Sequence, residues 1–316
     1  MSKKCLKKMI TTSAILITGM HAFNTYIQSC ITPVSISKED QIYKWKDMQI
    51  IYTNKGTPSA PPLLLLHNLD PSSSKEEWYQ ADPLLEQNFH IFELDLPGCG
   101  KSDKPNMTYI NYLYVQLICD FIRDIVKEKC NICASAFSNA FVFMATRMKP
   151  DMFDQIIAIN PPSIQELVKP ISKQSEWKKK IIESPVIGTF LYNCRMSKSS
   201  IWDDYKYVYF YNDKNVPEKI AEVSYFNAHY KNDGGKYLYG SMIGNYTNIN
   251  IVHALPLIKA NLSIIAYGKY KEVIQEYKKY NSNIHAVYIS NCRLLPQLEI
   301  SETIADKIKS ILLKNT

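Results

Sequence analysis

Few of the residues in this 316-residue chain that could do chemistry keep the spacing that chemistry needs. One stretch, Cys133-Ala134-Ser135-Ala136-Phe137-Ser138-Asn139-Ala140-Phe141, has the small-residue texture of a tight strand-to-helix turn. Such a turn can lift a nucleophile clear of the backbone, provided its neighbours are small. Two registers fit. In the first, Ala134 and Ser138 flank Ala136, and a methyl group takes the nucleophile's place. In the second, Ala136 and Ala140 flank Ser138, an A-x-S-x-A turn with a real hydroxyl. The first keeps the following helix at full length before Pro150 and is preferred. The second shortens that helix by two residues and so rotates its buried face by about 200°.

The other candidates are scattered. His90 and His285 begin predicted strands, the end of a sheet away from chemistry, and His21 lies near the start of the chain. His229 and His253 are the histidines that could reach a pocket. Among eight cysteines, Cys130 and Cys133 form a lone CxxC. It falls on a predicted strand, where a spacing of three places the thiols on opposite faces, unsuited to zinc or to a redox turn. Gly98-Cys99-Gly100-Lys101-Ser102 has the letters that end a phosphate-binding loop, but Asp95 stands where its first glycine belongs. No metal cluster and no cofactor is expected.

Short apolar runs alternate with helical periodicity from about residue 40 onward, which predicts a sheet wrapped by helices. Strands are expected at 49–53, 63–66, 90–94, 131–135, 155–159, 263–267 and 286–289, and helices at 109–126, 137–147, 274–280 and 302–313. The run Leu63-Leu64-Leu65-Leu66 does not alternate, as befits a strand covered on both faces. Between 163 and 253 the alternation breaks into a stretch rich in Tyr, Lys and Asn, with helical pieces at 175–182 and 217–230. This predicts a helical cap inserted over the sheet. Its Tyr192, Trp202, Tyr205, Tyr209, Tyr225 and Tyr230 could line a pocket, though packing is their commoner use.

Three segments resemble the α/β-hydrolase superfamily with a helical cap, the haloalkane-dehalogenase-like and esterase-like branch. Leu63-Leu64-Leu65-Leu66-His67-Asn68 is similar to its strand end, with Trp78 where that family often has a tryptophan. Asp95-Leu96-Pro97-Gly98-Cys99-Gly100-Lys101-Ser102 resembles its DLPGxGxS turn. Leu295-Pro296-Gln297-Leu298-Glu299 resembles its HxPxxE ending. The resemblance implies a mostly parallel central sheet flanked by helices, in the order 30–162 core, 163–253 cap and 254–316 core. It also extends to membrane-anchored, cap-bearing members from Gram-positive bacteria.

Residue by residue, the same resemblance places Ala136 at the nucleophile, Lys271 at the acid and Leu294 at the base. A lysine carries the wrong sign to stabilise an imidazolium, and a leucine has no proton to move. The backbone amides of Leu69 and Phe137 fall at the oxyanion hole, beside Asn68 in place of the usual glycine. Asn68 and Trp78 are expected at the pocket, and His67 in a structural role. Three readings follow: a catalytically degenerate protein binding a small apolar ligand or a partner, an esterase-like hydrolase using Ser138, or an interaction module.

Four of the lysines behind the net charge of +7 lie in the first eight residues. The remainder shows no basic stripe, so no nucleic acid is expected as partner. Residues 9–23 then form an uncharged, mostly apolar run, short of the ~20 residues a comfortable membrane span needs. With the lysines this resembles a secretory signal without a cleavage site. Segment 1–29 is therefore expected to anchor the protein at the extracytoplasmic face of a membrane. A cleaved signal, giving a secreted protein, and a docking helix are the alternatives.

Overall fold

The computed structural model describes residues 3–313 apart from Ser35, Ser37 and Lys38. Residues 35–39 read from the sequence as a short polar linker, which lies for the most part outside the described residues. Eight strands form one sheet: β1 (Gln41–Trp45), β2 (Met48–Lys55), β3 (Pro62–Leu66), β4 (His90–Leu94), β5 (Cys130–Ser135), β6 (Phe153–Ile159), β7 (Asn261–Tyr267) and β8 (His285–Ile289). Their spatial order is β1-β2-β4-β3-β5-β6-β7-β8. β1 and β2 run antiparallel at one edge, and every pairing from β4 to β8 is parallel.

The helices around the sheet begin with α1 (Lys3–Ser29), α2 (Asp82–Leu85), α3 (Asn111–Phe121) and α4 (Ser138–Met148). Between β6 and β7 the chain leaves the sheet for six more: α5 (Ile164–Leu167), α6 (Lys173–Glu183), α7 (Ile187–Arg195), α8 (Lys198–Asp204), α9 (Glu218–His229) and α10 (Gly235–Ile243). It ends with α11 (Lys271–Lys278), α12 (Pro296–Glu299) and α13 (Ser301–Leu312).

The central strands are apolar on both sides because both sides are covered. Leu64 and Leu66 join Ile132 and Ala134 in one core, against α3 and α4. Leu63 and Leu65 join Cys133 in the other, against α13. Cys130 and Cys133 fall in opposite cores as unpaired thiols.

Two elements depart from the expectation. β1 was not expected, because only Tyr43 and Trp45 of its five residues turn inward. They hold the edge through Tyr43 OH to Asp124 Oδ2 at 2.6 Å and Trp45 Nε1 to Asp120 Oδ2 at 2.8 Å.

The second is the N-terminal segment, whose helix runs beyond the apolar residues 9–23 on both sides. It is a continuous 27-residue helix, and no helix among the described residues is long and apolar enough to cross a membrane. Thr11, Thr12, Ser13, Thr18 and His21 interrupt its apolar run. Its last turns dock on α7. Asn24 is buried, donating to the Val186 carbonyl at 2.9 Å and accepting from Asn193 at 3.0 Å.

The DLPGxGxS turn after β4 is explained letter by letter by the fold. Asp95 is buried and accepts the backbone N–H groups of Lys75 and Lys101, both at 2.8 Å. Ser102 donates to the Asp95 carbonyl and accepts from Ile51 N–H. Gly100 has φ +47°, and a Cβ there would sit 2.2 Å from the Asp95 carboxyl carbon. A side chain is excluded twice, by backbone angle and by space. Gly100→Ala is expected to cost at least about 3 kcal/mol, read as a lowered midpoint in urea unfolding; an unchanged midpoint would contradict this account of the turn.

Candidate functional site

The site is built where the parallel strands end. β5 passes into α4 through Ala136, which has φ +44°. A non-glycine residue in this region is strained by roughly 1–2 kcal/mol and has to be held. Ala136 N–H donates to the Ile159 carbonyl at 2.9 Å. The Asn139 side chain donates to the carbonyls of Ala136 at 2.8 Å and Ile159 at 3.0 Å. The strained residue is thus Ala136, and α4 begins two residues later at Ser138.

A cleft of about 390 Å³ opens over this turn. Ala136, Phe137, Asn68, Leu69 and Leu294 border it together, with Asp70, Asn160, Met242 and Tyr270 around them. Five of the residues singled out from the sequence are therefore neighbours. A second concavity, of about 410 Å³, is lined by Lys55, paired with Asp82 and Glu93, by Lys75, and by the further carboxylates Glu39, Glu76 and Glu86.

Asn68 does what a glycine could not. Its side-chain Oδ1 accepts the Phe137 N–H at 3.2 Å. That amide follows the strained residue and is the donor that an oxyanion would use in acyl transfer. Here the protein's own carboxamide oxygen already occupies it. The Asn68 backbone N–H in turn donates to Glu77 Oε2 at 3.0 Å.

The remaining candidates are placed as follows. Ser138 is fully buried, and its hydroxyl donates to the His67 carbonyl at 2.6 Å. Both His67 ring nitrogens are engaged, Nδ1 with the Asn68 carbonyl and Nε2 accepting from Leu96 N–H at 3.0 Å. Burial pushes the His67 pKa down to about 3, so the ring stays neutral and structural. Lys271 is exposed at the first turn of α11 and does not border the cleft; the neighbouring Tyr270 does. Trp78, expected at the pocket, is instead a fully buried core residue on the α13 side of the sheet.

No histidine borders the cleft among the described residues. His229 is buried in α9 with Nδ1 on the Tyr225 carbonyl, and His253 is exposed. Nor do the six aromatic residues expected at a pocket border it. Tyr192, Tyr205 and Tyr225 pack with Leu295 and Leu298 where the inserted helices meet the C-terminal segment.

Two polar networks behind the cleft were not expected from the sequence. Asn160, at φ +43°, donates to the carbonyls of Arg293 and Leu294, both at 3.0 Å, and accepts from Tyr267 N–H at 3.2 Å. One amide ties the ends of β6 and β7 to the loop that carries Leu294. Its only sequence signal is an Asn directly after a strand and before Pro161-Pro162. The second network joins Gln297, which donates to Ser135 Oγ at 2.9 Å and to Glu77 Oε2 at 3.4 Å. Glu299 accepts from Tyr211, Asn212 and Arg293 N–H, fastening the inserted segment to the core.

Burial raises the Glu77 carboxyl pKa from the usual 4.5 to about 8, against the lowering effect of the Asn68 N–H. The folded state then holds a proton that the unfolded chain releases between about pH 4.5 and 8. This contribution to stability is full below pH 4.5 and is lost as pH rises through 8. Glu77→Gln removes the titration while keeping the shape. The variant is expected to gain stability relative to the parent as pH goes from 5 to 9, in parallel thermal melts. Melts that stay equally spaced across that range would contradict a protonated Glu77.

No protein-family model matches the sequence. The haloalkane dehalogenase of Bradyrhizobium diazoefficiens is 30% identical over 100 residues, 32% of this chain and 32% of that protein. The match thus spans about a third of the relative's length. Among solved structures, a putative aryl esterase from Burkholderia cenocepacia superposes with a TM-score of 0.69 at 15% identity, over 87% of this chain and 98% of its own. A membrane phospholipase A, described as a bacterial virulence factor, superposes with a TM-score of 0.65 at 17% identity over 98% of both chains. The parallel sheet, the turn at Ala136 and these superpositions lead to one conclusion: the chain has the α/β-hydrolase fold.

Proposed function

We propose that this chain is an α/β-hydrolase-fold protein without triad chemistry, whose cleft over Ala136 binds a small, part-apolar molecule. The observation that carries this reading is the bond from Phe137 N–H to Asn68 Oδ1, made at the foot of the cleft beside a methyl group. Three further placements support it. Ala136 offers no nucleophile, Leu294 borders the cleft where a base would be needed, and Lys271 faces solvent.

Magnitudes set the scale. Loss of a whole triad costs about 10⁶ in turnover, or roughly 8 kcal/mol of barrier. Filling one oxyanion donor costs a further ~10²–10³. What is left would be slower than any useful esterase. The cleft itself stays open; Leu69, Phe137, Met242, Tyr270 and Leu294 give it an apolar part, and Asp70, Asn160, Glu166, Lys169, Asn245 and Asn248 give it a polar one. The names of the similar proteins, a dehalogenase of haloalkanes, an aryl esterase and a phospholipase, favour an apolar or part-apolar occupant.

The alternative is a serine hydrolase using Ser138. That hydroxyl would have to abandon the His67 carbonyl and find a base. A fluorophosphonate probe decides between them. The full chain is expected to stay unlabelled and to turn over p-nitrophenyl esters no faster than buffer, and Ala136→Ser is expected to stay unlabelled as well. Labelling of Ser138 in the parent would contradict the proposal. Binding is read separately with an apolar fluorescent probe: Met242→Trp, which fills the cleft from α10, is expected to weaken it about tenfold. Unchanged binding would place the ligand elsewhere.

A further inference from the structure

Helix α1 carries an apolar stripe of which the structure covers only one end. At 3.6 residues per turn, Met9, Leu16 and Phe23 share a face with Met20 and Ile27, and Ile10 and Ile17 lie beside them. In the last turns this face is partly covered, with Met20 and Ile27 half-buried and Phe23 still 36% exposed. Phe23 packs edge-on against Phe190 of α7 with ring centroids 5.4 Å apart, and Asn24 is buried between the hydrogen bonds described above. Before Gly19 the same face stands in solvent: Met9, Ile10, Leu16 and Ile17 are 54, 59, 58 and 47% exposed. A helix that projects this much apolar surface normally has a partner for it.

The charge on the helix indicates which partner. Lys4, Lys7 and Lys8 are exposed in its first two turns, and no Asp or Glu precedes Glu39. Lys7, Thr11, Thr18 and Thr25 recur along the face opposite the stripe. The segment is therefore basic in its first turns and apolar mainly on one side, with Ile15 (66% exposed) beside the lysines, and it is not long and apolar enough to cross a bilayer.

We propose that the free part of α1, residues 3–19, docks this protein on an anionic lipid bilayer by lying in the headgroup layer. Met9, Leu16 and Ile17 enter the acyl boundary, and the lysines meet lipid phosphates. The docked turns at 20–29 connect that surface rigidly to α7. A second copy fits less well. Pairing two α1 stripes side by side would bring two lysine clusters together with no acidic residue on either helix to receive them. The inference stands apart from the reading of the cleft, since it uses none of the cleft's residues.

The test is co-sedimentation of the full chain with phosphatidylcholine vesicles, with and without roughly 30% phosphatidylserine. Binding is expected to be at least about tenfold tighter to the anionic vesicles and to weaken in high salt. Leu16→Asp and Lys7→Glu are each expected to lower it about tenfold. Both positions are exposed, so the melting temperature should not move. Alkaline carbonate should release the bound protein. Three outcomes would overturn the proposal. They are no preference for anionic vesicles, resistance to carbonate, and a lipid-free dimer that Leu16→Asp dissociates while vesicle binding stays absent.

Discussion

The strained turn at Ala136 is the constraint on which the rest of the site depends. β5 lies in the middle of the sheet, covered by helices on both sides, and has to reverse into α4 within two residues. The reversal forces one residue to a positive φ, at +44°. Asn139 and the Ile159 carbonyl hold it there, and the following amide, Phe137 N–H, is left at the foot of the cleft. In an acyl-transfer enzyme the same strain would raise a nucleophile and aim a donor. Here it raises a methyl group, and the donor is met by Asn68.

The motif residues divide by what they do. Those that hold the architecture keep their chemistry: Asp95 gathers the amides of its turn, Gly100 leaves room for that carboxylate, and neutral His67 bridges two backbone groups. Glu299 collects three more amides. Loss of Asp95 or His67 would leave buried backbone amides unpaired, at about 1–3 kcal/mol each. On the proposed reading, the positions that would only move protons carry Ala136, Lys271 and Leu294.

The sheet was legible in the sequence because buried parallel strands read as unbroken apolar runs, and seven of the eight strands fall where such runs lie. β1 escaped because it is an edge strand with two inward aromatics and little else. The register of the turn could be reasoned from helix length, and Asn68 could be singled out as a departure from glycine. Its bond to Phe137 could not, since residues 68 and 137 meet only once β3 and β5 pair. The networks through Asn160, Gln297 and Glu77 were invisible for the same reason: their partners lie more than a hundred residues apart. Lys271 and Tyr270 differ by one position, and one residue at the start of a helix turns a side chain from the cleft to solvent. In α1 the apolar run could be read as too short for a comfortable span, but the docking of its last turns on α7 could not, since Asn24 meets Val186 and Asn193 only in the fold.

On the proposed reading, the protein's own Asn68 occupies the oxyanion donor. Hydrogen exchange of the Phe137 amide in the full chain tests it most directly, in the parent and in Asn68→Gly. Removal of the side-chain oxygen should speed exchange of that amide by about tenfold or more while core strand amides stay protected. Equal exchange in the two proteins, both folded, would mean that the amide is protected by something else and that the hole is not closed by Asn68.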